Sequence, residues 1–391
     1  MIVKESNACD PVVLTVVGTR PEAIKMAPVI DACREQSEIQ SKLLFTGQHK
    51  SLVSQTMRTL DFDPDFNLNL MGENQTLYDI ANKAMLKIRD IVQSLKPDCI
   101  MVQGDTATAF ATSMVAFLEG IPLGHVEAGL RSHNDRDPFP EEGYRKLIDV
   151  LADFYFAPTQ LSAQNLLHEG VSAQSIYVTG NTVVDALKKV VPVCSSIENH
   201  ELAAIFERAP SKLILLTAHR RESFGKPLEN IFSAIEKLTE LEPELEIIYP
   251  VHPNPNVSES AERLVDNRRI HILKPLSYED MLISFQKVQL ILTDSGGIQE
   301  EAPSFGLHTL VMRNTTERQE GIDAGVATLV GTDTEEIIRT TLNRLKTHKA
   351  ISTPIALTNN PYGDGKASGR IADILRHILV GVPRNTTDWE G

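Results

Sequence analysis

Short apolar runs alternate with helix-like stretches along nearly the whole chain, and this alternation constrains the fold more than any other feature. In the first half the predicted strands are residues 12–17, 43–46, 99–102, 123–126, 155–157 and 176–178, and the predicted helices are 22–35, 51–60, 77–95, 106–118, 142–151 and 160–167. Strands that are apolar along most of their length and separated by helices are typical of a parallel sheet covered on both faces. The first half therefore predicts a doubly wound α/β domain.

The alternation breaks down between residues 187 and 210, where a mixed polar run predicts a linker and a short helix. It resumes with predicted strands at 213–216, 247–249, 270–273, 290–292, 309–312 and 328–330, and with helices such as 228–241, 278–285 and 368–379. We expect two Rossmann-like domains, residues 1–190 and 191–367, with a cleft between them. Ligands of such sheets bind outside the carboxyl ends of the strands, so functional residues should directly follow strands.

Composition excludes several classes of protein. The 391 residues carry a net charge of −14 without a block of like charges, which argues against a general nucleic-acid-binding protein. The four cysteines lie far apart, without metal-ligand or disulfide spacing, which is typical of a reducing compartment. No apolar run is long enough to cross a membrane, and the N-terminus lacks the apolar segment of a secretory signal. We expect a cytoplasmic protein with neither nucleic-acid nor membrane partners.

The stretch 291–304, ILTDSGGIQEEAPS, combines a buried strand, a tight turn and the start of a helix. Its paired glycines let the backbone approach a ligand, Ser295 can cap the helix, and the N–H groups at a helix start attract a phosphate. An ordinary β–α turn is the alternative for so short a motif. The acids behind the turn, Glu300 and Glu301, favour a ligand that also has hydroxyl groups, such as a sugar.

Three loops of the first half carry charged residues directly after predicted strands. The first carries Arg20 and Lys25, which can bind a diphosphate near a helix start; solvated basic residues are the alternative. The second carries Asp105, which can instead cap the following helix. The third carries Glu127 between two glycines, where a catalytic role competes with a salt bridge to Arg131.

The remaining charged motifs also have structural alternatives. Glu141 and Glu142 begin a predicted helix, and compensation of the helix dipole explains them equally well. His219 follows the first strand of the second half and is the side-chain type that titrates nearest to neutral pH. His252 lies in a proline-rich stretch that predicts an extended connection, where packing is slightly favoured over ligand contact. The charges around Arg318 suit either a ligand or a surface ion pair.

Acids and a histidine from both halves, with phosphate-binding groups after several strands, predict an enzyme that acts on a nucleoside-diphosphate compound. The motifs GTRPEAIK, QGDT, GHVEAGLR, PEE, HRRESFG, DSGGIQEEAPS, TTER and NPYGDGKAS occur in this order across almost the whole chain. This ordered set resembles the non-hydrolysing UDP-N-acetylglucosamine 2-epimerases. The resemblance implies a glycosyltransferase-B type fold, a C-terminal helix, 368–391, that packs back onto the first domain, a homodimer, and synthesis of activated N-acetylmannosamine for bacterial surface polysaccharides.

The resemblance also implies roles for individual residues. The implied catalytic residues are Asp105, Glu127, Glu141 and His219. Phosphate is implied to lie on Ser295 and Gly296 and the ribose on Glu301, and the further substrate contacts are Arg20, Lys25, Met281, Gly297 and Arg318. Met281 stands where the family usually has a bulky aromatic residue, so weaker stacking of the uracil is expected. An allosteric site for a second UDP-N-acetylglucosamine is implied at Gln48, His49 and His252, although Ser51 and Asn74 depart from its pattern.

The implied reaction removes the C2 proton while UDP leaves from C1. UDP then adds again to a 2-acetamidoglucal intermediate, with a proton delivered to the other face of C2. Such chemistry needs acid–base groups on both faces of the sugar and cations or N–H donors on the diphosphate. The expected ligands are UDP-N-acetylglucosamine and UDP, and no NAD, metal or other cofactor is expected. The alternatives are a hydrolysing epimerase, a glycosyltransferase of the same fold, and a non-catalytic sugar-nucleotide-binding protein.

Overall fold

The computed structural model describes residues 10–47, 63–70, 76–194, 196–347 and 360–391, without the side chains of Val193 and Thr347. The predicted helix 51–60 and the implied allosteric residues Gln48 and His49 lie outside these ranges. The chain divides into Met1–Lys189 with Tyr362–Gly391, here called unit 1, and Val190–Pro361, called unit 2.

A parallel sheet forms the centre of unit 1. Its strands are Val12–Val17 (β1), Gln40–Phe45 (β2), Phe66–Asn67 (β3), Cys99–Gln103 (β4), Leu123–Val126 (β5), Phe154–Ala157 (β6) and Ile176–Val178 (β7). Their order across the sheet is β3-β2-β1-β4-β5-β6-β7. The direction of winding therefore reverses between β1 and β4, and the loops after these two strands lie side by side, where such sheets bind ligands.

Unit 2 repeats this plan. Its strands are Lys212–Thr217 (β8), Leu245–Pro250 (β9), Ile270–Leu273 (β10), Leu290–Thr293 (β11), Thr309–Val311 (β12) and Ala327–Leu329 (β13). The order β10-β9-β8-β11-β12-β13 places the reversal between β8 and β11. All twelve predicted strands are confirmed within a few residues at their ends; the two-residue β3 was not predicted. The predicted pair of doubly wound α/β units is confirmed.

Helices cover the sheets because most of them join the end of one parallel strand to the start of the next. Those of unit 1 are Arg20–Arg34 (α1), Leu77–Leu95 (α2), Ala107–Glu119 (α3), Glu141–Leu151 (α4), Gln160–His168 (α5) and Thr182–Val190 (α6). Those that follow are His200–Arg208 (α7), Lys226–Leu241 (α8), Pro255–Ala261 (α9), Tyr278–Phe285 (α10), Gly296–Glu301 (α11), Gln319–Asp323 (α12), Thr334–Thr347 (α13) and, in unit 1 again, Ala367–Val380 (α14).

Each unit has its own cluster of buried apolar side chains between its sheet and its helices. Leu14, Ile100 and Val102 are completely buried in unit 1, as are Leu292 and Leu310 in unit 2. Burying one such side chain fully stabilises the fold by about 1.5–3 kcal/mol. These cores hold the strand ends rigidly, so the polar loops that follow the strands are presented in fixed positions.

The proline-rich stretch after β9 differs from the prediction of an extended connection. Asn254 caps a helix by accepting the N–H of Asn256 at 3.0 Å, and Pro255 occupies the first turn of that helix, α9. Proline suits the first turn because its missing N–H would have no partner there. The prediction took Pro255 as part of an extended connection, whereas it lies in the first turn of a helix.

Candidate active site

A buried carboxylate joins the loops after β1 and β4. Thr19 and Glu22 form a capping box at the start of α1, in which Glu22 Oε2 accepts the N–H groups of Gly18 at 3.1 Å and Thr19 at 2.6 Å. Glu22 Oε1 accepts the hydroxyl of Thr106, which caps α3, at 2.7 Å. Burial raises the pKa of Glu22 to about 7, although the hydrogen bonds from Thr19, Thr106 and Gly18 oppose this shift.

Glu127 follows β5 in a strained backbone conformation. Its φ of 71° lies in the left-handed region, which costs a side chain with a Cβ about 1–3 kcal/mol and is found mainly at functional sites. Its buried carboxylate accepts Lys25 Nζ at 2.7 Å and Nε2 of Gln103. Glu127 therefore forms a salt bridge, but with Lys25; the predicted alternative, a salt bridge to Arg131, is wrong. Lys25, which was assigned to the nucleotide-sugar, contacts the carboxylate that was assigned to catalysis.

Arg131 belongs to a second buried network behind Glu127. It donates to Asp149 at 2.7 Å and to Glu169 at 2.6 Å, while Asp149 Oδ1 lies 2.6 Å from His125 Nδ1. His125 Nε2 lies 2.9 Å from the carbonyl oxygen of Gly104. Burial raises the pKa of Asp149, but the charges and hydrogen bonds of His125 and Arg131 outweigh burial and leave this pKa below its usual range. The network fixes the ends of β4 and β5 relative to each other.

Asp105 follows β4 and is held by an arginine rather than by the next helix. Arg145 Nε and Nη2 lie 2.9 Å and 2.8 Å from Asp105 Oδ2. The predicted alternative, that Asp105 caps the following helix, is wrong, because the cap is Thr106, whose hydroxyl accepts the N–H of Ala109 at 3.0 Å. Arg145 also donates to Glu142 on the same helix, so one buried cation bridges an acid of the loop after β4 and an acid of α4.

Glu141 and Glu142 have different environments at the start of α4. Glu142 is completely buried, and its Oε2 accepts both Arg145 and the N–H of Ser132, the latter at 3.1 Å. Glu141, the implied catalytic residue, is the first residue of α4 and is partly exposed. Partial exposure leaves Glu141 accessible to a ligand, whereas Glu142 is committed to the fold.

Unit 2 presents His219 after β8. The N–H groups of His219 and Arg220 donate to Asp294 Oδ2 at 2.7 Å and 2.8 Å, so the loop after β8 is tied to the end of β11. The imidazole of His219 stacks on that of His252, with ring centroids 5.2 Å apart and planes 10° from parallel. The structure therefore brings the implied catalytic histidine into contact with a residue implied for the allosteric site.

The glycine turn after β11 has a steric requirement. Ser295 occupies the cap position of α11, but its hydroxyl makes no capping hydrogen bond. The prediction that the Ser295 side chain caps this helix is therefore wrong. A Cβ added at Gly296 would lie 2.7 Å from Cζ of Arg318, whereas one at Gly297 would meet nothing nearer than Ser295 Oγ at 4.0 Å. The first glycine is needed because the guanidinium of Arg318 lies against it.

Arg318 belongs to a buried network of arginines and glutamates. Its Nε and Nη2 donate to Glu300 Oε1 at 2.9 Å and 2.7 Å, and its Nη1 donates to Glu317. Arg313 donates to the other oxygen of Glu317 at 2.9 Å. The predicted alternative of a surface ion pair is wrong, since all four side chains are buried. Contacts with two glutamates fix the plane of the Arg318 guanidinium, and a planar guanidinium matches the geometry of a phosphate.

Glu301, implied for the ribose, is buried next to Tyr278. The hydroxyl of Tyr278 donates to Glu301 Oε1 at 3.2 Å, and Met281 lies one turn later on α10, partly exposed. These residues link α10 to α11.

Comparison with known proteins decides the family. Residues 31–376 match the family model described as UDP-N-acetylglucosamine 2-epimerase. The UDP-N-acetylglucosamine 2-epimerase of Bacillus subtilis (strain 168) is 44% identical over 364 residues, which cover 93% of this chain and 94% of that protein. The chain belongs to this family.

Solved structures similar to this member of the UDP-N-acetylglucosamine 2-epimerase family agree with the assignment. MnaA of S. aureus with UDP has a TM-score of 0.89 and 40% identity, covering 97% of this chain and 100% of that one. The UDP-GlcNAc 2-epimerase of Neisseria meningitidis bound to UDP-GlcNAc has a TM-score of 0.85 and 40% identity, covering 93% and 99% of the two chains. The family and the glycosyltransferase-B type of fold, both predicted from the order of the motifs, are confirmed.

Several residues that organise the site in this epimerase-family member were not predicted to do so. They are Glu22, His125, Arg145, Asp149, Tyr278 and Asp294, of which Glu22, His125 and Asp294 lie within the recognised motifs. Glu22 had a readable signal, because Thr19 and Glu22 have the spacing of a capping box. No sequence signal could reveal the pairing of Arg145 with Asp105 or that of Asp294 with His219, because the paired residues are 40 and 75 positions apart.

Among the described residues, no group of three or more His, Cys, Asp or Glu side chains is arranged to hold a metal ion. In the same part of the chain, every helix is too short or too polar to span a membrane. The implied allosteric site stays a prediction, since two of its three residues, Gln48 and His49, lie outside the described ranges.

Proposed function

We propose that this protein interconverts UDP-N-acetylglucosamine and UDP-N-acetylmannosamine by inversion at C2, without releasing free sugar. One observation carries the proposal beyond family membership: two carboxylates follow neighbouring strands of unit 1, and each is held by its own buried cation. Glu127 is paired with Lys25 at 2.7 Å, and Asp105 with Arg145 at 2.8 Å. Carboxylates fixed in this way suit proton transfer at a defined atom.

The reaction proceeds in two balanced stages. A carboxylate takes the C2 proton as the C1–O bond breaks, so that UDP leaves with the bonding electrons and 2-acetamidoglucal remains. UDP then attacks C1 again while an acid delivers a proton to the opposite face of C2. The C2 hydrogen beside an acetamido group is only weakly acidic, so loss of the leaving group must accompany its removal. Donors placed on the diphosphate stabilise the charge that develops there.

The proposed roles divide between the two units. Unit 1 supplies the acid–base groups Asp105, Glu127 and Glu141, together with Arg20 and Lys25 for the nucleotide-sugar. Unit 2 supplies His219 as a further catalytic residue. It binds UDP through the diphosphate on Ser295, Gly296, Gly297 and Arg318, the ribose on Glu301 and the uracil beside Met281. The buried pairing of Arg318 with Glu300 and Glu317 supports its role, since a guanidinium held in a fixed plane loses little entropy when it binds phosphate.

Isotope exchange tests this function directly. The protein is incubated with UDP-N-acetylglucosamine in deuterated water, and the products are followed by proton NMR. We expect deuterium at C2 of a mixture of both UDP-sugars. Accumulation of free N-acetylmannosamine with UDP would identify the hydrolysing reaction instead, and a substrate that keeps its C2 proton would exclude epimerisation by this route.

The variant Glu127→Gln assigns the chemistry. The amide keeps the size of the side chain and loses the charge, so C2 exchange should fall by a factor on the order of 10²–10⁴, as for loss of an acid–base group. UDP affinity, measured by calorimetry, should change little, because UDP is assigned mainly to unit 2. Turnover equal to that of the wild type would remove Glu127 from the mechanism.

We also propose a homodimer formed through unit 1. Three helices that pack in sequence, α2 with α3 and α3 with α4, carry the exposed side chains Tyr78, Leu86, Phe117, Leu118, Leu147 and Val150. Large apolar side chains concentrated on neighbouring helices are typical of an interface with another chain. Analytical ultracentrifugation should give twice the mass of the chain, and a monomer at micromolar concentration would contradict the proposal.

A further inference from the structure

Asp294 directly follows β11 and is completely buried. Its Oδ2 accepts the N–H groups of His219 and Arg220 at 2.7 Å and 2.8 Å. Its Oδ1 is also buried, has no hydrogen-bond partner among the residues that the structure describes, and lies 3.5 Å from Nδ1 of His219. One oxygen therefore holds the backbone of the loop, while the other faces the histidine ring.

We propose that Asp294 is a positioning residue that fixes the tautomer of His219. An ionised carboxylate only accepts hydrogen bonds, so the ring nitrogen that faces it must carry the proton. Nδ1 of His219 is then the protonated nitrogen, and Nε2 is the one able to take up a proton. This inference rests on the proposed function only in assigning His219 a part in the reaction; the tautomer itself follows from the contact with Asp294.

The energetics favour such a contact. A buried carboxylate oxygen without a donor is destabilising, since its hydration is lost without compensation. The present separation of 3.5 Å is a few tenths of an ångström beyond hydrogen-bonding distance, and catalytic hydrogen bonds are often long until a ligand binds. Two restraints keep the ring near Asp294: the backbone of His219 is tied to Oδ2, and its face stacks on His252.

The variant Asp294→Asn separates holding the loop from orienting the ring. The amide oxygen can still accept the two backbone N–H groups, while the amide NH₂ then faces Nδ1 as a donor. Nδ1 must become the acceptor, and the proton moves to Nε2. Replacement of an orienting carboxylate by its amide in a His–Asp pair is known to leave geometry intact and to lower kcat by about 10⁴ through the wrong tautomer.

Asp373 provides a matched control for the structural part of the effect. Its Oδ2 accepts two consecutive backbone N–H groups, those of Asn385 at 2.7 Å and Thr386 at 2.8 Å, and its side chain is buried. It lies in unit 1 and contacts none of the residues assigned to catalysis or binding. Asp373→Asn therefore makes the same carboxylate-to-amide change in a clamp that also holds two consecutive backbone N–H groups, while its Oδ1 lies 3.4 Å from Arg376 Nη2 rather than beside the ring of His219.

The experiment measures tautomer and turnover together. The full-length wild type, Asp294→Asn and Asp373→Asn are labelled with ¹⁵N-histidine, and the signal of His219 is identified by its loss in His219→Gln. At about pH 8, above the ordinary titration range of histidine, we expect Nδ1–H in the wild type and in Asp373→Asn, and Nε2–H in Asp294→Asn. We expect kcat to fall by a factor on the order of 10²–10⁴ only in Asp294→Asn, with KM within about threefold of the wild type.

Two results would overturn the inference. One is an Nε2–H tautomer of His219 in the wild type, which decides the matter even if Asp294→Asn fails to fold. The other is an equal loss of kcat in Asp294→Asn and Asp373→Asn, which would show that only folding is affected. If the wild type catalyses no C2 exchange, the proposed function fails separately, while the tautomer measurement still tests the contact between Asp294 and His219.

Discussion

In both units a buried carboxylate connects two loops, but the carboxylate stands on opposite loops in the two units. In each, the winding reverses between the first and fourth strands along the chain, and a buried carboxylate ties together the loops after those strands. In unit 1 the carboxylate is Glu22, on the loop after the first strand, and it reaches Thr106 after the fourth. In unit 2 it is Asp294, after the fourth strand, and it reaches the backbone of His219 after the first.

The difference lies in what the second oxygen does. Both oxygens of Glu22 accept hydrogen bonds, from backbone N–H groups on one side and from a hydroxyl on the other. Only one oxygen of Asp294 is used in this way, and the other faces a titratable ring. With the same strand order, Glu22 only connects loops of the fold, whereas Asp294 connects loops and also faces the side chain of His219.

The units also differ in how they neutralise buried charge. In unit 1 the ion pairs at the site join Lys25 to Glu127, and Arg145 to both Asp105 and Glu142. In unit 2 the charges form an alternating chain in which Arg318 contacts both Glu300 and Glu317, and Glu317 contacts Arg313 as well. Because Arg145 pairs with two acids at once, one of them completely buried, its removal should have a large effect on stability.

The largest effect is expected from Arg145→Met. Glu142 is completely buried, so loss of its cation leaves an uncompensated charge that costs about 3–5 kcal/mol of the free energy of unfolding. Urea unfolding of the full chain measures this loss. Arg339→Met, which removes an exposed ion pair with Glu336, is the control and should leave the urea midpoint unchanged. A similar midpoint for both variants would show that the acids of unit 1 do not depend on Arg145.

A somewhat smaller effect concerns the pH dependence of stability. The pKa of Glu22 is raised from 4.5 to about 7 on folding, so the folded state holds a proton that the unfolded state releases first. The stabilisation from this proton is fully present below pH 4.5 and is lost as pH rises to about 7, a change of about 3 kcal/mol.

Glu22→Gln tests this sign. The amide does not titrate, so the stability of the wild type relative to the variant should decline steadily across that pH range. Urea unfolding of both proteins at several pH values measures the difference. Two curves that stay parallel would show that folding does not raise the pKa of Glu22.

The smallest effect is expected from Gly296→Ala. The added Cβ would lie 2.7 Å from Cζ of Arg318, so the guanidinium must shift by a few tenths of an ångström. UDP affinity should fall about tenfold, or about 1.4 kcal/mol, as measured by calorimetry. Gly369→Ala, which adds a Cβ in open space on α14, is the control. Unchanged affinity in Gly296→Ala would show that Arg318 does not hold the diphosphate in the position proposed.

The sequence predicted the strands and the order of the site loops because both follow from local patterns. Apolar runs such as β4 and β11 are buried on both faces, and their ends are marked by Gly104 and Gly296. The same local information placed the candidate residues after strands. It could not distinguish Glu141 from Glu142, since which acid faces Arg145 depends on the rotation of α4 about its axis.

The pairings of side chains were harder to predict because they are set by tertiary structure. Lys25 reaches Glu127 across 102 residues of sequence, whereas Arg131, only four residues away, turns to Asp149 and Glu169. Nearness in sequence favoured the wrong partner. The left-handed backbone of Glu127 redirects the chain at this point, and only glycines are usually expected there.

The way unit 1 is completed has a consequence for synthesis on the ribosome. Residues 362–391 belong to this unit, α14 packs on α1, and the N–H of Trp389 donates to the carbonyl of Val178 on the edge strand β7 at 2.8 Å. Asp388 accepts the N–H of Val178 at 3.0 Å. All of unit 2 must be translated before these contacts form, so the nascent first half waits with an unprotected sheet edge, which is a template for pairing with other chains. A chaperone that shields this edge during translation should therefore raise the yield of active protein.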